Sequence, residues 1–448
     1  MQDSRVDVVI IGAGIAGLSA AQKLLKSGRT ILILEARDRT GGRMRTESQE
    51  PGCAIDLGPE FIHGHPRQIW DIVDKESLPV YEVSEEHWYK RDGVITDSSE
   101  FFEGVDEVMS RLPAAQKDNP ADLSFTDYLQ QYCSEQSEPH KAAAKSFIEG
   151  FNAAFSDRIG VNGLVIENEA EEEIGDEAYR LMNGYQSLLD QVAIGITPSE
   201  ARLNTVVKEI EWSRGAVQVT AHGPDGTLVV LARTALITLP LGVLKAGESS
   251  PSFVRFNPPL SSKTDALKKL EMGQVVKVLL RFKERIWEQS SLRTNKGETR
   301  SGAELGFLHS EHEYFPTWWT MRPLHVPLIV GWSAGPRAEK LRGKDKDFIV
   351  SQATESLSMG LGISVETVRA SLLECHYHDW QNDPFSLGAY SYPGIGGGEA
   401  GKVLAEPLEG TLFFAGEHTN WQGIWATVHG AMQTGLRAAD QVISAFSH

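Results

Sequence analysis

Val6–Gly17 reads VDVVIIGAGIAG. The run Val6–Ile11 is apolar without interruption, as a strand buried on both faces would be. Leu18–Leu25 then repeats apolar residues at helical spacing, and Thr30–Leu34 is a second apolar run. The order is strand, glycine-rich turn, helix, strand, a βαβ unit with a parallel pair. Each glycine of the turn has a separate task. Gly12 permits the tight turn, Gly14 lets backbone approach a pyrophosphate, and Gly17 lets helix and strand pack closely. The helix start offers free N–H groups and the positive end of its dipole to phosphates. Glu35 ends the second strand, eighteen residues after Gly17, where a carboxylate accepts from ribose hydroxyls. The fold class is therefore α/β with a Rossmann-type dinucleotide-binding domain. The glycine motif alone does not choose between NAD and FAD.

The chain has 448 residues, more than one core usually supports, so a second domain is expected. Its net charge of −18 argues against a nucleic-acid partner and favours cationic small molecules. Cys53, Cys133 and Cys375 are far apart and odd in number, which fits neither a disulfide framework nor a metal site. The start shows no leader pattern, and no apolar run reaches the ~18 residues of a membrane span. A cytoplasmic protein, monomeric or homodimeric, is expected.

Residues 106–185 are expected to be rich in helix, with the acidic cluster Glu167–Glu173 as a solvated face. Strands are expected over 203–219 and 228–238, around the turn Gly223–Gly226. A helix over 263–270 leads into Met272–Phe282, MGQVVKVLLRF, which reads as one strand. Alternation puts Val276, Val278, Leu280 and Phe282 on one face and Lys277 with Val275, Leu279 and Arg281 on the other. That pattern alone cannot tell a wet face, where Lys277 snorkels, from a cleft. Residues 312–332 are rich in aromatics, 386–400 read as a glycine-rich loop, and 428–446 as an amphipathic helix.

Arg37 and the run Gly41-Gly42-Arg43 follow the second strand. They resemble the FAD-binding signature of amine-oxidase and glutathione-reductase type flavoproteins, with guanidinium forks suited to phosphate. Phe413–Ala439, FFAGEHTNWQGIWATVHGAMQTGLRAA, resembles the terminal segment of the flavin-dependent amine oxidases: polyamine oxidases, lysine-specific histone demethylases and monoamine oxidases. DLGPEFIHG (56–64), LNTVV (203–207), TLPLGVLK (238–245) and the Lys277 strand resemble further family segments, so the likeness spans nearly the whole chain. It implies an FAD-binding domain from residues 1–75, 200–262 and 386–448, interleaved with an α+β substrate domain from 76–199 and 263–385.

The resemblance also implies roles. Cofactor contacts would come from Gly12, Gly14, Ala16, Gly17, Glu35, Ala36 and Arg37 at the first unit. Gly42, Arg43, Gly58, Pro59 and Glu60 follow from the next loops, and Val207 from the adenine strand. Trp380, Gly416, Glu417, Thr427 and Val428 complete the set around the flavin. Glu60, Trp380, Phe385, Tyr390 and Thr427 would line the substrate pocket. Lys277, His63 and Tyr390 would serve catalysis, with Lys277 beside flavin N5, where a positive charge stabilises reduced flavin. The position of the flavin-tethering cysteine of monoamine oxidases is Ala389, which implies non-covalent FAD. Thr427 stands where a second cage aromatic is common in the family; Trp425, two residues earlier, is the candidate substitute, in a loop one residue longer than the family pattern. His418 and His429 are expected to be structural, and His65 has no assigned role. No metal is expected. The implied reaction is oxidation of a primary or secondary amine, a polyamine by preference, to imine and then aldehyde plus amine, with molecular oxygen reduced to hydrogen peroxide. A monoamine or L-amino-acid oxidase is the alternative, the latter needing Arg322 or Arg158 for a carboxylate. A binding protein of the GDP-dissociation-inhibitor type conflicts with the intact GxGxxG, GGR and GEHT motifs.

Overall fold

The structure, a computed structural model, describes residues 4–50, 53–175 and 177–446. The Ser4–Ile11 strand pairs in parallel with Ile31–Leu34 on one side and with Gly226–Ile237 on the other. Ala201–Arg202 and Leu412–Phe414 add parallel pairs, and Ala216–Gly223 and Val206–Ser213 extend the sheet by antiparallel pairing. Burial follows the alternation. Val8 and Ile10 pack with Leu18, Leu24, Leu188 and Phe413 on one face, and Val9 and Ile11 pack with Leu34, Val219, Val230 and Phe414 on the other. Both faces are covered, which is why the strand carries no polar alternation.

Helix Ile15–Lys26 lies against the C-terminal helix Val428–Ala445. Gly435 makes that approach possible: a Cβ there would lie 2.2 Å from the carbonyl oxygen of Ala16. The two ends of the chain are thereby clamped together, with both helix N-termini at one cavity.

A second, nine-stranded sheet runs in the order Thr299–Ser301, Ser291–Arg293, Val94–Asp97, His87–Arg91, Phe307–His309, Thr317–Thr320, Leu328–Ala334, Val275–Phe282, Leu372–Tyr377. Val276, Val278, Leu280 and Phe282 bury one face against helix Lys346–Leu361. The Lys277 face is buried too, because the segment around Ile55 and Leu57 covers Leu279, Trp319 and Val330. The half-wet face allowed by alternation is thus excluded.

Three expectations change. Met272–Phe282 is two strands: Leu270–Gly273 pairs with Tyr390–Pro393 in a separate ribbon, and Val275–Phe282 begins after Gln274. Residues 386–400 accordingly contain a strand rather than only loop. The acidic cluster lies on helix Val161–Ile174: Glu169, Glu171, Glu172 and Glu173 are exposed, as a solvated face would be, but half-buried Glu167 lines the cavity, and Glu171 and Glu172 border it as well. Among the described residues no helix is long and apolar enough to cross a membrane, and no cluster of metal-ligating side chains occurs.

Candidate active site

A cavity of about 1220 Å³ runs from the phosphate loop to the nine-stranded sheet. It exceeds the ~300–1,000 Å³ typical for a single small ligand, so it has room for a cofactor and a substrate together. At its nucleotide end Gly12 has φ +109°, a conformation that side chains resist. A Cβ on Gly14 would meet nothing within 4 Å, so this backbone faces open space. No side chain caps helix Ile15–Lys26, which leaves its first amides for an anion. Glu35 is buried and bonds the loop itself, its Oε2 accepting from Ala13 N at 2.7 Å and its Oε1 from Arg37 N at 2.9 Å. Each carboxylate oxygen keeps a further lone pair for a ribose hydroxyl. Ala16, Ala36 and Val207 line the same end.

The arginines are more constrained than the sequence suggested. Arg37 donates to Asp383 Oδ1 at 2.7 Å and to Ser386 Oγ at 2.9 Å, with its guanidinium 5.6 Å from the Phe385 ring centre. It ties the phosphate region to the 380s segment. Arg43 donates through Nη1 to Ala389 O at 2.8 Å and Glu417 Oε1 at 2.9 Å. Arg39, just before the Gly-Gly-Arg motif, fixes that turn by donating to the carbonyls of Thr40, Gly42 and Met44.

Glu417 is a hub. Its Oε2 accepts from Ser391 Oγ at 2.6 Å and from Ala426 N at 3.2 Å. Burial pushes its carboxyl up, but Arg43, His418 and Ser391 together hold it below the usual carboxylate range. It therefore joins the 390s strand, the Arg43 loop and the entry to the last helix. Thr427 caps that helix, accepting from Gly430 N at 2.9 Å. Thr427 and Val428 both line the cavity, as do Gly42, Gly58, Pro59 and Gly416.

The substrate end is aromatic and acidic. Trp380 is held by its Nε1 donating to Leu57 O at 2.8 Å. Tyr390 donates its hydroxyl to Phe151 O at 2.7 Å, lines the cavity, and has its phenol pushed well up by burial and then by Glu167. His63 lies between Phe61 and Phe151, with ring centres 6.1 and 6.0 Å away, and burial lowers its pKa. Trp425 is buried on the same wall with an indole N–H lacking a protein partner. His429, expected to be structural, also lines the cavity, and its Nε2 has no partner. Burial, then His63, lowers His429 to about 3. His418 is buried behind Gly416, and His65 stacks on Trp70 outside the cavity.

Glu167 accepts from Asn152 Nδ2 at 2.7 Å, and burial with Glu171 nearby pushes its carboxyl well up. Burial raises Glu171 to about 7. Lys277 pairs with Glu60 Oε2 at 2.7 Å and donates to Gly58 O at 3.1 Å. Glu60 lies on the cavity wall but spends its carboxylate on Lys277, Arg180 and Trp319 rather than on open space. Arg322 pairs with Glu86, Arg158 lies over Phe155, and neither lines the cavity.

A family profile described as flavin containing amine oxidoreductase matches residues 15–443. The chain belongs to that family. Relatives include the probable polyamine oxidase 5 of Arabidopsis thaliana, 27% identical over 97% of this chain and 98% of that protein. Polyamine oxidase 4 of Oryza sativa subsp. japonica is 27% identical over 97% and 88%. Lysine-specific histone demethylase 2 of Homo sapiens is 27% identical over 97% of this chain but only 53% of its own length. The chain spans 30% of another relative, lysine-specific histone demethylase 1 homolog 3 of Arabidopsis thaliana. A solved putrescine oxidase bound to putrescine shares the fold, with a TM-score of 0.79, 19% identity, and coverage of 99% and 100%. The cofactor of this flavin amine oxidase is FAD. The open Gly14 backbone, the uncapped helix start, and Glu35 and Glu417 on the walls of one cavity fit such a molecule. Among the described residues, no cysteine lines the cavity.

Proposed function

We propose that this flavin amine oxidase acts on a polyamine, cleaving a C–N bond through an imine. The observation that carries the substrate class is the glutamate pair Glu167 and Glu171 on the cavity wall beside Tyr390, two raised carboxyls that an arriving ammonium would help to ionise. In the substrate half the acidic side chains Glu85, Asp106 and Glu172 also line the cavity, while Lys277, the one lysine among the described lining residues, is paired with Glu60. A field of that sign selects a substrate with a second ammonium. The placement of Arg322 and Arg158 speaks against an amino-acid substrate, whose carboxylate needs a cationic clamp.

Bound FAD supplies a two-electron acceptor, and the chain does the rest. Glu167 and Glu171 anchor the distal ammonium. Tyr390, Trp425 and Phe151 wall the reacting end, attract the arriving ammonium through their ring faces and strip its water. Desolvation lowers the amine's pKa, so it enters the reaction neutral, with a lone pair to assist loss of hydride from the adjacent carbon. His63 and His429, with pKa lowered by burial, add no positive charge that would oppose the developing iminium. Lys277, fixed by Glu60 and Gly58 O, faces the growing negative charge. Water then adds to the C=N bond and splits it into aldehyde and amine, while oxygen takes the two electrons and two protons as hydrogen peroxide.

Peroxide release from spermine, spermidine, putrescine and simple monoamines tests the assignment. Turnover of polyamines at low concentration supports it. Peroxide from monoamines or amino acids alone overturns it.

A further inference from the structure

Glu60 sits between two buried cations. Its Oε2 is 2.7 Å from Lys277 Nζ and its Oε1 is 2.8 Å from Arg180 Nε, while Trp319 Nε1 donates to Oε1 at 2.9 Å. Lys277, Glu60 and Arg180 are 3%, 6% and 2% exposed. The three come from distant parts of the chain: a cavity strand, the loop after Asp56, and strand Ala178–Leu181. Lys277 and Glu60 line the cavity, but Arg180 lies behind them, over the Phe61 ring at 4.6 Å. Burial alone would raise the Glu60 carboxyl, and Lys277 and Arg180 outweigh it, holding it at about 2.

Other groups face this cluster. Asp56 is buried beside Lys277 and is pushed up to about 6 by burial, against the pull of Lys277. Tyr81 lies near Arg180, and burial holds its phenol neutral. Trp332, paired across the sheet from Lys277, is uncharged. Below about pH 6, then, one carboxylate serves two cations.

A lone ammonium on the cavity wall acts on an electron-rich ring as a point charge. With a carboxylate 2.7 Å away it acts more nearly as a dipole, whose field falls faster with distance. We propose that Glu60 is a positioning residue for Lys277, fixing its ammonium on the cavity wall and offsetting the charge felt by the flavin, and so sets the flavin's reduction potential. The inference rests on the reading that Lys277 faces the flavin. It predicts opposite signs for two substitutions. Glu60→Gln keeps the shape and an oxygen for Trp319 and Arg180 but removes the negative charge, so the potential rises. Lys277→Met removes the positive charge, so the potential falls.

The test uses FAD-loaded protein. Reduction potentials are measured by dye equilibration below about pH 6, where Asp56 is protonated and cannot replace the lost charge. Sulfite affinity, which grows with positive charge at the flavin, is measured in parallel. Sulfite should bind Glu60→Gln about tenfold or more tightly than wild type, the scale on which one neighbouring charge moves such equilibria. It should bind Lys277→Met more weakly. A potential and sulfite affinity in Glu60→Gln that are unchanged or lower, with Lys277→Met lowered, overturn the role of Glu60 alone. An unchanged potential in Lys277→Met overturns the reading of Lys277 beneath it. If Glu60→Gln does not yield a folded flavoprotein, Glu60→Asp withdraws the carboxylate by one methylene. It should shift both readouts in the same direction by less, and wild-type values there overturn the inference.

Discussion

Substituting Glu171→Gln tests whether the cavity selects a second ammonium. Glu171 lies on helix Val161–Ile174, one turn beyond Glu167; the surrounding protein raises its carboxyl to about 7, although the side chain keeps access to solvent. An ammonium about 4 Å from a carboxylate gains about 4 kcal/mol at an effective dielectric near 20. Glu171 keeps solvent exposure, so screening and desolvation offset most of that gain and leave about 1 kcal/mol. Glu171→Gln should therefore weaken binding of spermidine or putrescine roughly fivefold. A monoamine of equal length should be unaffected. The assay is anaerobic titration of flavin bleaching, which separates binding from reoxidation. In wild type, diamine affinity should also improve as pH rises through about 7, where Glu171 ionises, and Glu171→Gln should lack that step. Equal losses for diamine and monoamine, or no loss for either, would refute the reasoning.

Other outcomes follow from the same geometry. Lys277→Met should retain FAD yet slow flavin reduction or reoxidation markedly in stopped-flow traces, and unchanged traces would remove Lys277 from the mechanism. Gly435→Ala should destabilise the protein by about 1–3 kcal/mol in denaturant melts, because its Cβ has no room against Ala16 O. Asp56 has a folded pKa raised to about 6, so its contribution is present below the unfolded value near 4 and is lost as pH rises through 6. That amounts to about 3 kcal/mol, and Asp56→Asn should flatten the stability profile across this window.

The nucleotide end was legible because its chemistry is local. Gly12, Gly14 and Gly17 act within one turn, and Glu35 reaches back to Ala13 across a single βαβ unit. Thr427 was equally readable as a cap, since its partner Gly430 is three residues away. The substrate end was less so. Glu167 lies three residues after buried Leu164, beside the apolar stripe of its helix, and that spacing was the available signal that this one member of the cluster turns inward, while Glu171 stays exposed. Composition favoured the solvated reading because acidic clusters usually are solvated. The break at Gln274 was hidden because Leu270–Gly273 owes its strand to Tyr390–Pro393, more than a hundred residues away. Nor can any local pattern show that Lys277, Glu60 and Arg180 meet. Lys277 itself was singled out by family likeness, and its burial among Gly58, Glu60 and Trp319 gives that choice a physical setting.

The most direct measurement is anaerobic mixing of the purified FAD-loaded protein with a polyamine and with a monoamine of matched length, followed in the visible spectrum. Flavin absorbance should bleach with the polyamine at concentrations where the monoamine leaves it unchanged, and recover when oxygen is admitted. A flavin that no polyamine bleaches, or that the monoamine bleaches equally well, would contradict the assignment.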